Sequence, residues 1–594
     1  MVSKIRLLWL ALSLFSISSL PNRPLNAQTV NSAQVPTLPN SGQSLPPLQD
    51  VLPIPLPRNP TLPSEQISPQ SPPSSPIIQP STPATPPSAP ISGDVPGTIT
   101  VNRFEIVGST VFKSQDFEQI TKDYINRPIS LAELFEVRTK ITKLYNAQGY
   151  ITSGAYIPPQ DLEAGVVKIQ ISEGGVEEIK VTGTRHLNPD YIRSRVALAT
   201  SKPLNQNRLV EALKLLRLKD DQLIKNISAE LSTGTQPGES LLEIQVTEAP
   251  IWEAQLTLDN GRTPSVGTFR RQLQLTNFDL LGLGDRLFIA YTNTDGSNSL
   301  DTSYTIPFNA RNGTITLSGG FASSNVIEKP FNILDINSNS NYIELTVRQP
   351  IIQTTTQEFA LGLTGSYRES GATLLGGEIP FPSPGANAEG TTRITALRFF
   401  QDYTIQNSQQ VLALRSQFSF GLGSLDALNT TPNTPEDNFF VWRGQAQYVR
   451  LLAENTLLLL RGDIQLASQP LVPLEQFGLG GRESVRGYRQ DLLLTDSGVF
   501  VSAEARIPIL RLRNPNIVLQ FTPFVDFGYG FNQGSATNPS PNDLVSVGSG
   551  LLFNMSDRLT ARFDWGIPLI SVSGDKSTLQ EQGFYFSLSY RQPF

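Results

Sequence analysis

The chain has 594 residues, enough for several domains, with no cysteine and one histidine, His186. Disulfides, iron–sulfur clusters, thiolate zinc sites, His-based triads and multi-histidine metal sites are therefore excluded, and the lone His186 reads as a solvated loop residue. A net charge of −6 argues against a nucleic-acid binder, while only 16% charged residues implies surfaces made polar by Ser, Thr, Asn, Gln and Gly.

Lys4 and Arg6 precede an apolar run from Leu7 to about Leu20, and Leu25-Asn26-Ala27 supplies a small residue for cleavage. This is the pattern of a secretory signal peptide over residues 1–27. The run is shorter than the roughly 20 apolar residues a spanning helix needs. No later segment reaches that length without charges or turn residues, so any further membrane crossing must be made by strands.

Residues 28–96 are dominated by Pro, Ser, Thr, Gln and Asn, as in Ser71-Pro-Pro-Ser-Ser-Pro76. Such a stretch buries too little apolar surface to offset its ordering entropy, and a disordered linker with local polyproline II is expected.

Residues 97–249 contain a repeat. Phe104-Glu-Ile-Val-Gly-Ser109 returns as Glu178-Ile-Lys-Val-Thr-Gly-Thr184, and each copy opens a β-α-α-β-β pattern. In the first module, expected over 97–174, Ser130 and Glu133 form a capping box. Leu134, Val137, Ile141, Leu144 and Tyr145 make an apolar helical stripe that Gly149 stops, and a hairpin follows. In the second, over 175–249, Asn188-Pro189 starts a short helix. Leu209, Ala212, Leu216 and Leu218 line the next helix as core positions. These modules resemble POTRA domains, and the resemblance implies a sheet edge able to accept an extended peptide by strand addition.

Residues 250–594 form a train of alternating segments. Trp252, Ala254, Leu256 and Leu258 alternate with Glu253, Gln255 and Thr257. Near the carboxy-terminus Phe584, Phe586, Leu588, Tyr590 and Phe594 share one parity, Ser587, Ser589 and Arg591 the other, and Tyr585 and Gln592 are exceptions. Short connections such as 309–313, 453–455 and 554–558 alternate with long ones at 376–390, 423–438 and 532–543. At roughly 20 residues per strand and connector the zone accommodates about 16 antiparallel strands, aromatic outward and polar inward, as a transmembrane β-barrel requires.

The connection between Ala467 and about Asp496 is too long for a hairpin and carries Gly480-Gly-Arg-Glu-Ser-Val485-Arg486-Gly487-Tyr488. Downstream, Phe524-Val-Asp526-Phe-Gly528 places Phe524, Asp526 and Gly528 on one strand face. Val485 to Tyr488 resemble the motif of the lumen loop in two-partner secretion transporters (the ShlB/FhaC/HecB haemolysin secretion/activation family), relatives of BamA-type assembly factors. Phe524, Asp526 and Gly528 resemble that family's barrel-wall motif.

The resemblance covers about residues 97–594. It implies a bidentate Arg486–Asp526 salt bridge holding the loop tip in the pore, with Gly487 turning the tip and Tyr488 packing on the wall. It further implies an outer-membrane translocator with periplasmic POTRA domains, lipid around its barrel and an unfolded secreted exoprotein as partner, exported to the cell surface without ATP. A BamA-type assembly factor and a passive porin are the alternatives. The Pro-rich stretch departs from family members that begin with a pore-plugging helix, so no plug is assigned. No nucleophile elbow or Walker loop occurs, so neither an enzyme, a nucleotide nor a cofactor is expected. Arg461-Gly462-Asp463, at a strand end, is too common a tripeptide to imply adhesion.

Overall fold

The structure, a computed structural model, describes residues 78–80 and 98–594, except 161–164, 220–221, 237, 382, 424–437, 455, 514–515, 535 and 573–575. The expected signal peptide lies outside the described residues, as does the Pro-rich region apart from 78–80.

Two small α+β modules come first. One is built from β2 (Ile99–Val101), β3 (Arg103–Val107), α1 (Ser114–Thr121), β4 (Arg127–Ile129), α2 (Leu131–Ala147), β5 (Gly154–Tyr156) and β6 (Val166–Ser172). β6 lies between β3, parallel to it, and β5, antiparallel. Ser130 caps α2: its hydroxyl accepts from the Glu133 N–H at 3.2 Å, and the Glu133 carboxylate accepts from the Ser130 N–H at 2.8 Å. Leu134, Val137, Ile141 and Tyr145 bury one face of α2 against Val167, Ile169 and Ile171 of β6.

The second module repeats this plan with β7 (Gly175–Thr182), α3 (Pro189–Ala197), α4 (Gln206–Lys219), β8 (Ile224–Thr233) and β9 (Glu239–Glu248). Its core takes Leu209, Leu213 and Leu216 from α4, whereas Ala212 and Leu218 are only half-buried. The expected stripe was misplaced at 212 because Ala and Leu neighbours fit one apolar period equally well, and the larger Leu213 buries more surface. One further strand is β1 (Ile78–Pro80). Within a segment expected to be disordered, these residues add parallel to the edge strand β8, with Ile78 opposite Ala229 and Pro80 opposite Leu231.

The barrel follows. Its strands are β10 (Trp252–Asp259), β11 (Arg270–Asn277), β12 (Arg286–Asn293), β13 (Ser297–Pro307), β14 (Thr314–Asn325), β15 (Asn337–Gln353) and β16 (Gln357–Leu374), with β17 (Ile379–Pro380) a short addition in a loop. Then come β18 (Thr391–Gln406), β19 (Gln410–Gly421), β20 (Phe440–Ala453) and β21 (Thr456–Ala467). The short β22 (Phe477–Leu479) and β23 (Leu493–Thr495) pair with each other outside the wall. The wall resumes with β24 (Ser497–Arg513); β25 (Asn516–Phe521) and β26 (Phe524–Phe531) together form the next, interrupted strand, antiparallel to β24, and β27 (Asp543–Met555), β28 (Leu559–Pro568) and β29 (Phe584–Pro593) follow.

Counting β25 and β26 together, the described residues form a closed barrel of sixteen antiparallel strands. The seam joins β29 to β10 from Glu253↔Pro593 to Asp259↔Ser587, and Trp252 stacks on Phe594 with centroids 6.5 Å apart. Closure removes both sheet edges, the condition for a sheet to stand in hydrocarbon.

Alternation sets the two faces. Phe563, Trp565 and Ile567 point outward and are exposed, while Arg562 and Asp564, of the opposite parity, are buried inside. Val525, Phe527 and Tyr529 are likewise exposed around buried Phe524 and Asp526. The second module sits on the barrel end reached by the short turns: Arg195 Nε donates to Asn312 Oδ1 at 2.8 Å in the β13–β14 turn. The Arg195 guanidinium lies 3.5 Å from the Tyr191 ring centroid, and Glu248 accepts from the N–H groups of Arg185 and Leu187, tying the module's last strand to the start of α3. Asp463 of the Arg-Gly-Asp tripeptide lies inside β21, not at its end, and its carboxylate is paired with Arg443.

Candidate functional site

The connection from β21 to β24 enters from the end opposite the second module and folds inward. Between residues 469 and 496 only Glu483 is exposed, so a loop of polar composition is buried by the barrel around it. The β22–β23 pair gives it a stiff stem, and Phe477, Leu479, Val485, Tyr488 and Leu493 form an apolar cluster with Phe500 and Leu544 of the wall.

The tip is held by residues that alternation aims into the lumen. Arg486 donates from Nε to Asp526 Oδ2 at 2.8 Å and from Nη2 to Oδ1 at 2.9 Å, and its own N–H reaches the same carboxylate at 3.1 Å. This is the fork-on-carboxylate geometry in which two parallel donors fix orientation as well as distance. Arg486 Nη1 also donates to Glu504 of β24 at 2.7 Å, and the Phe524 ring lies under the guanidinium at 3.4 Å. Arg486 is 1% and Asp526 0% exposed. Neither charge has water to fall back on, and losing one partner of such a pair costs about 3–5 kcal/mol.

Close backbone approach explains the glycines. Gly487 has φ +99°, and a Cβ on the facing Gly566 would lie 2.5 Å from the Gly487 nitrogen. A Cβ at Gly528 would meet Val485 Cγ2 at 2.8 Å. Loop and wall strings therefore interlock residue by residue: Val485 over Gly528, Arg486 on Asp526 and Phe524, Gly487 against Gly566. The Tyr488 hydroxyl lies 2.9 Å from the Val545 carbonyl oxygen and accepts from the Ile570 N–H at 3.2 Å.

Several participants escaped sequence reasoning. Glu504 balances two further arginines, accepting from Arg562 Nη2 at 2.6 Å and Arg506 Nε at 3.0 Å. Ser502, Glu504 and Arg506 share the lumen parity of β24, a period-two signal that could have marked them. Tyr585, an apparent exception to the alternation of β29, is buried in the lumen and its hydroxyl accepts from the Gly487 N–H at 2.9 Å. Its parity was right for the inside; only its aromatic ring made it look misplaced. Among the described residues no group of acidic and histidine side chains is arranged to hold a metal ion.

Comparison with known proteins bears on the family and the fold. The family model described as haemolysin secretion/activation protein ShlB/FhaC/HecB matches residues 238–553, and that of the ShlB-type POTRA domain matches 99–174. A heme/hemopexin transporter protein, HuxB, of Haemophilus influenzae is 22% identical over 480 residues, 74% of this chain and 78% of its own. The outer membrane transporter CdiB of Escherichia coli O6:K15:H31 is 23% identical over 501 residues, 79% of each chain. The solved structure of CdiB from Escherichia coli superposes with a TM-score of 0.64 at 18% identity, covering 86% of this chain and 93% of that one. BamA from Haemophilus ducreyi lacking POTRA domains 1–3 gives 0.50 at 13%, covering 83% and 100%. At these identities the two superpositions speak for the fold alone.

Proposed function

The chain belongs to the haemolysin secretion/activation protein ShlB/FhaC/HecB family of two-partner secretion transporters of the outer membrane, and from that premise we propose that it captures one unfolded secreted protein on its POTRA modules and passes it through the barrel to the cell surface. The observation that carries the proposal is the lumen occupied by the protein's own loop, held at its tip by Arg486 on Asp526 and Glu504. A passive porin would gain nothing from a filled lumen; a gated translocator needs a barrier that moves.

Capture is by strand addition. The pairing of β1 with β8 supports this, because that edge already accepts an extended, proline-bearing segment through backbone contacts. Export needs no nucleotide: cargo that folds outside cannot return, and removal of the unfolded form draws the rest across. The clasp sets the working position of the loop.

The test is depletion of the chain in cells producing a candidate exoprotein. Loss of that exoprotein from the surface, with other outer-membrane barrels at normal levels, is expected. A broad fall in outer-membrane barrels would instead establish an assembly factor of the BamA kind.

A further inference from the structure

The loop carries a second buried charge outside the motif. Glu475 lies in its leading half, in the helical turn Pro473–Glu475, and its side chain is 8% exposed. Both of its carboxylate oxygens accept from Arg398 of β18, Oε2 from Nη1 at 3.0 Å and Oε1 from Nη2 at 2.7 Å. Arg368 of β16 stands 3.8 Å from the same Oε1 and is held there by Glu344 of β15 at 2.7 Å. Beside the carboxylate, Leu471 and Val472 pack on Ile394 and Ala396 of β18, and Gln465 Nε2 donates to the Glu475 carbonyl at 2.9 Å.

This anchor sits on a different sector of the wall from the first. Three strands, β19, β20 and β21, separate β18 from β24, where Glu504 meets Arg486. The two clasps share no residue. They also differ in sense: at the tip the loop supplies the cation and the wall the anions, whereas at Glu475 the loop supplies the anion and the wall the cations. The loop is thus fixed at two points on separate wall sectors.

We infer that Glu475 is a second positioning residue of the lumen loop, and that the loop leaves the lumen only when the Glu475–Arg398 and Arg486–Asp526 clasps are both released. Either clasp alone keeps its own half of the loop in place. Opening at the tip pivots the loop about Glu475; opening at Glu475 leaves the tip seated.

The absence of cysteine makes labelling a clean test on the full chain in liposomes. Leu471→Cys reports the leading half and Leu479→Cys the tip stem; both positions are buried. With Glu475→Gln, modification of the 471 reporter by an impermeant maleimide should speed up by at least about tenfold while the 479 reporter stays slow, since one opened segment exposes only its own residues. Asp526→Asn should give the reverse pattern. The double variant should expose both and raise single-channel conductance in planar bilayers beyond the combined increases of the two single variants. Swapping the charges, Glu475→Arg with Arg398→Glu, should restore slow labelling at 471, which a mere loss of packing would not do. Heat-modifiable gel migration confirms that each barrel is folded. An unchanged rate at 471 in Glu475→Gln, or equal acceleration of both reporters by Asp526→Asn alone, overturns the inference. The readouts need only an inserted barrel, so they stand apart from whether the chain exports cargo.

Discussion

The POTRA modules and the barrel use the same side chains in opposite senses. In the first module Leu134, Val137 and Ile141 are buried and the charged residues of α2 face out. In the barrel Val525, Phe527 and Tyr529 face out, and Arg486, Glu504 and Asp526 have the interior. The modules gain stability by packing apolar area into their own cores, away from water; the barrel wall gives its apolar area to lipid, which favours insertion but does not order the interior. Its interior is instead ordered by paired charges and hydrogen bonds. Such pairs add modest net stability when complete and are costly when half-broken, so the barrel is specified by geometry more than by burial. That suits the proposed role, in which the lumen loop is both a barrier and a part that moves.

The largest expected effect comes from breaking a pair on the inside. Asp526→Ala should release the loop tip at a cost of about 3–5 kcal/mol, cutting secretion of the partner strongly while the barrel still inserts, as measured by surface immunoassay and heat-modifiable migration. Of similar size, but confined to the other region, Leu134→Ala should destabilise the first module by about 2–5 kcal/mol, read as a separate, earlier thermal transition with barrel melting unchanged. Placing a charge on the outer face sharpens the contrast further. Val525→Arg should destabilise the inserted barrel by about 2–4 kcal/mol near the midplane and less toward the interfaces, measured by denaturant titration in liposomes.

Smaller effects belong to the modules. Removing the α2 cap with Ser130→Ala should cost the first module about 1 kcal/mol, visible as a lower melting temperature of that module alone. Glu173 ties that module together, accepting from the Thr110 N–H at 2.8 Å and the Tyr145 hydroxyl at 3.0 Å. Burial pushes its carboxyl up, but the Thr110 hydroxyl and amide and the Tyr145 hydroxyl outweigh this and hold it below the ordinary value of 4.5. A depressed folded value means the contribution is present above about 4.5 and lost as pH falls through the folded value. Acid titration of the first module should therefore show this loss, and Glu173→Gln should flatten it.

Alternation within one strand was legible: Phe524, Asp526 and Gly528 share a face whatever lies around them. So were the Ser130 capping box and the Asn188-Pro189 helix start, because their partners are a turn away. The choice between Ala212 and Leu213 was not, since it depends on which side the sheet of the module approaches. Glu475 and Arg398 are 77 residues apart, and their meeting depends on the curvature of the whole cylinder. Tyr585 shows the same limit: its inward position followed from parity, but a buried aromatic made sense only once Gly487 was seen against it.

By itself the sequence determined the period-two pattern, the two helical modules and the residue types that face lipid or lumen, because these rest on interactions between near neighbours along the chain. Only the tertiary structure decided how Glu504 joins the Arg486–Asp526 pair, the second anchor of the loop at Glu475 and the addition of β1 to β8. Those depend on closing the sheet, which brings strands distant in sequence to within hydrogen-bonding distance across a common interior.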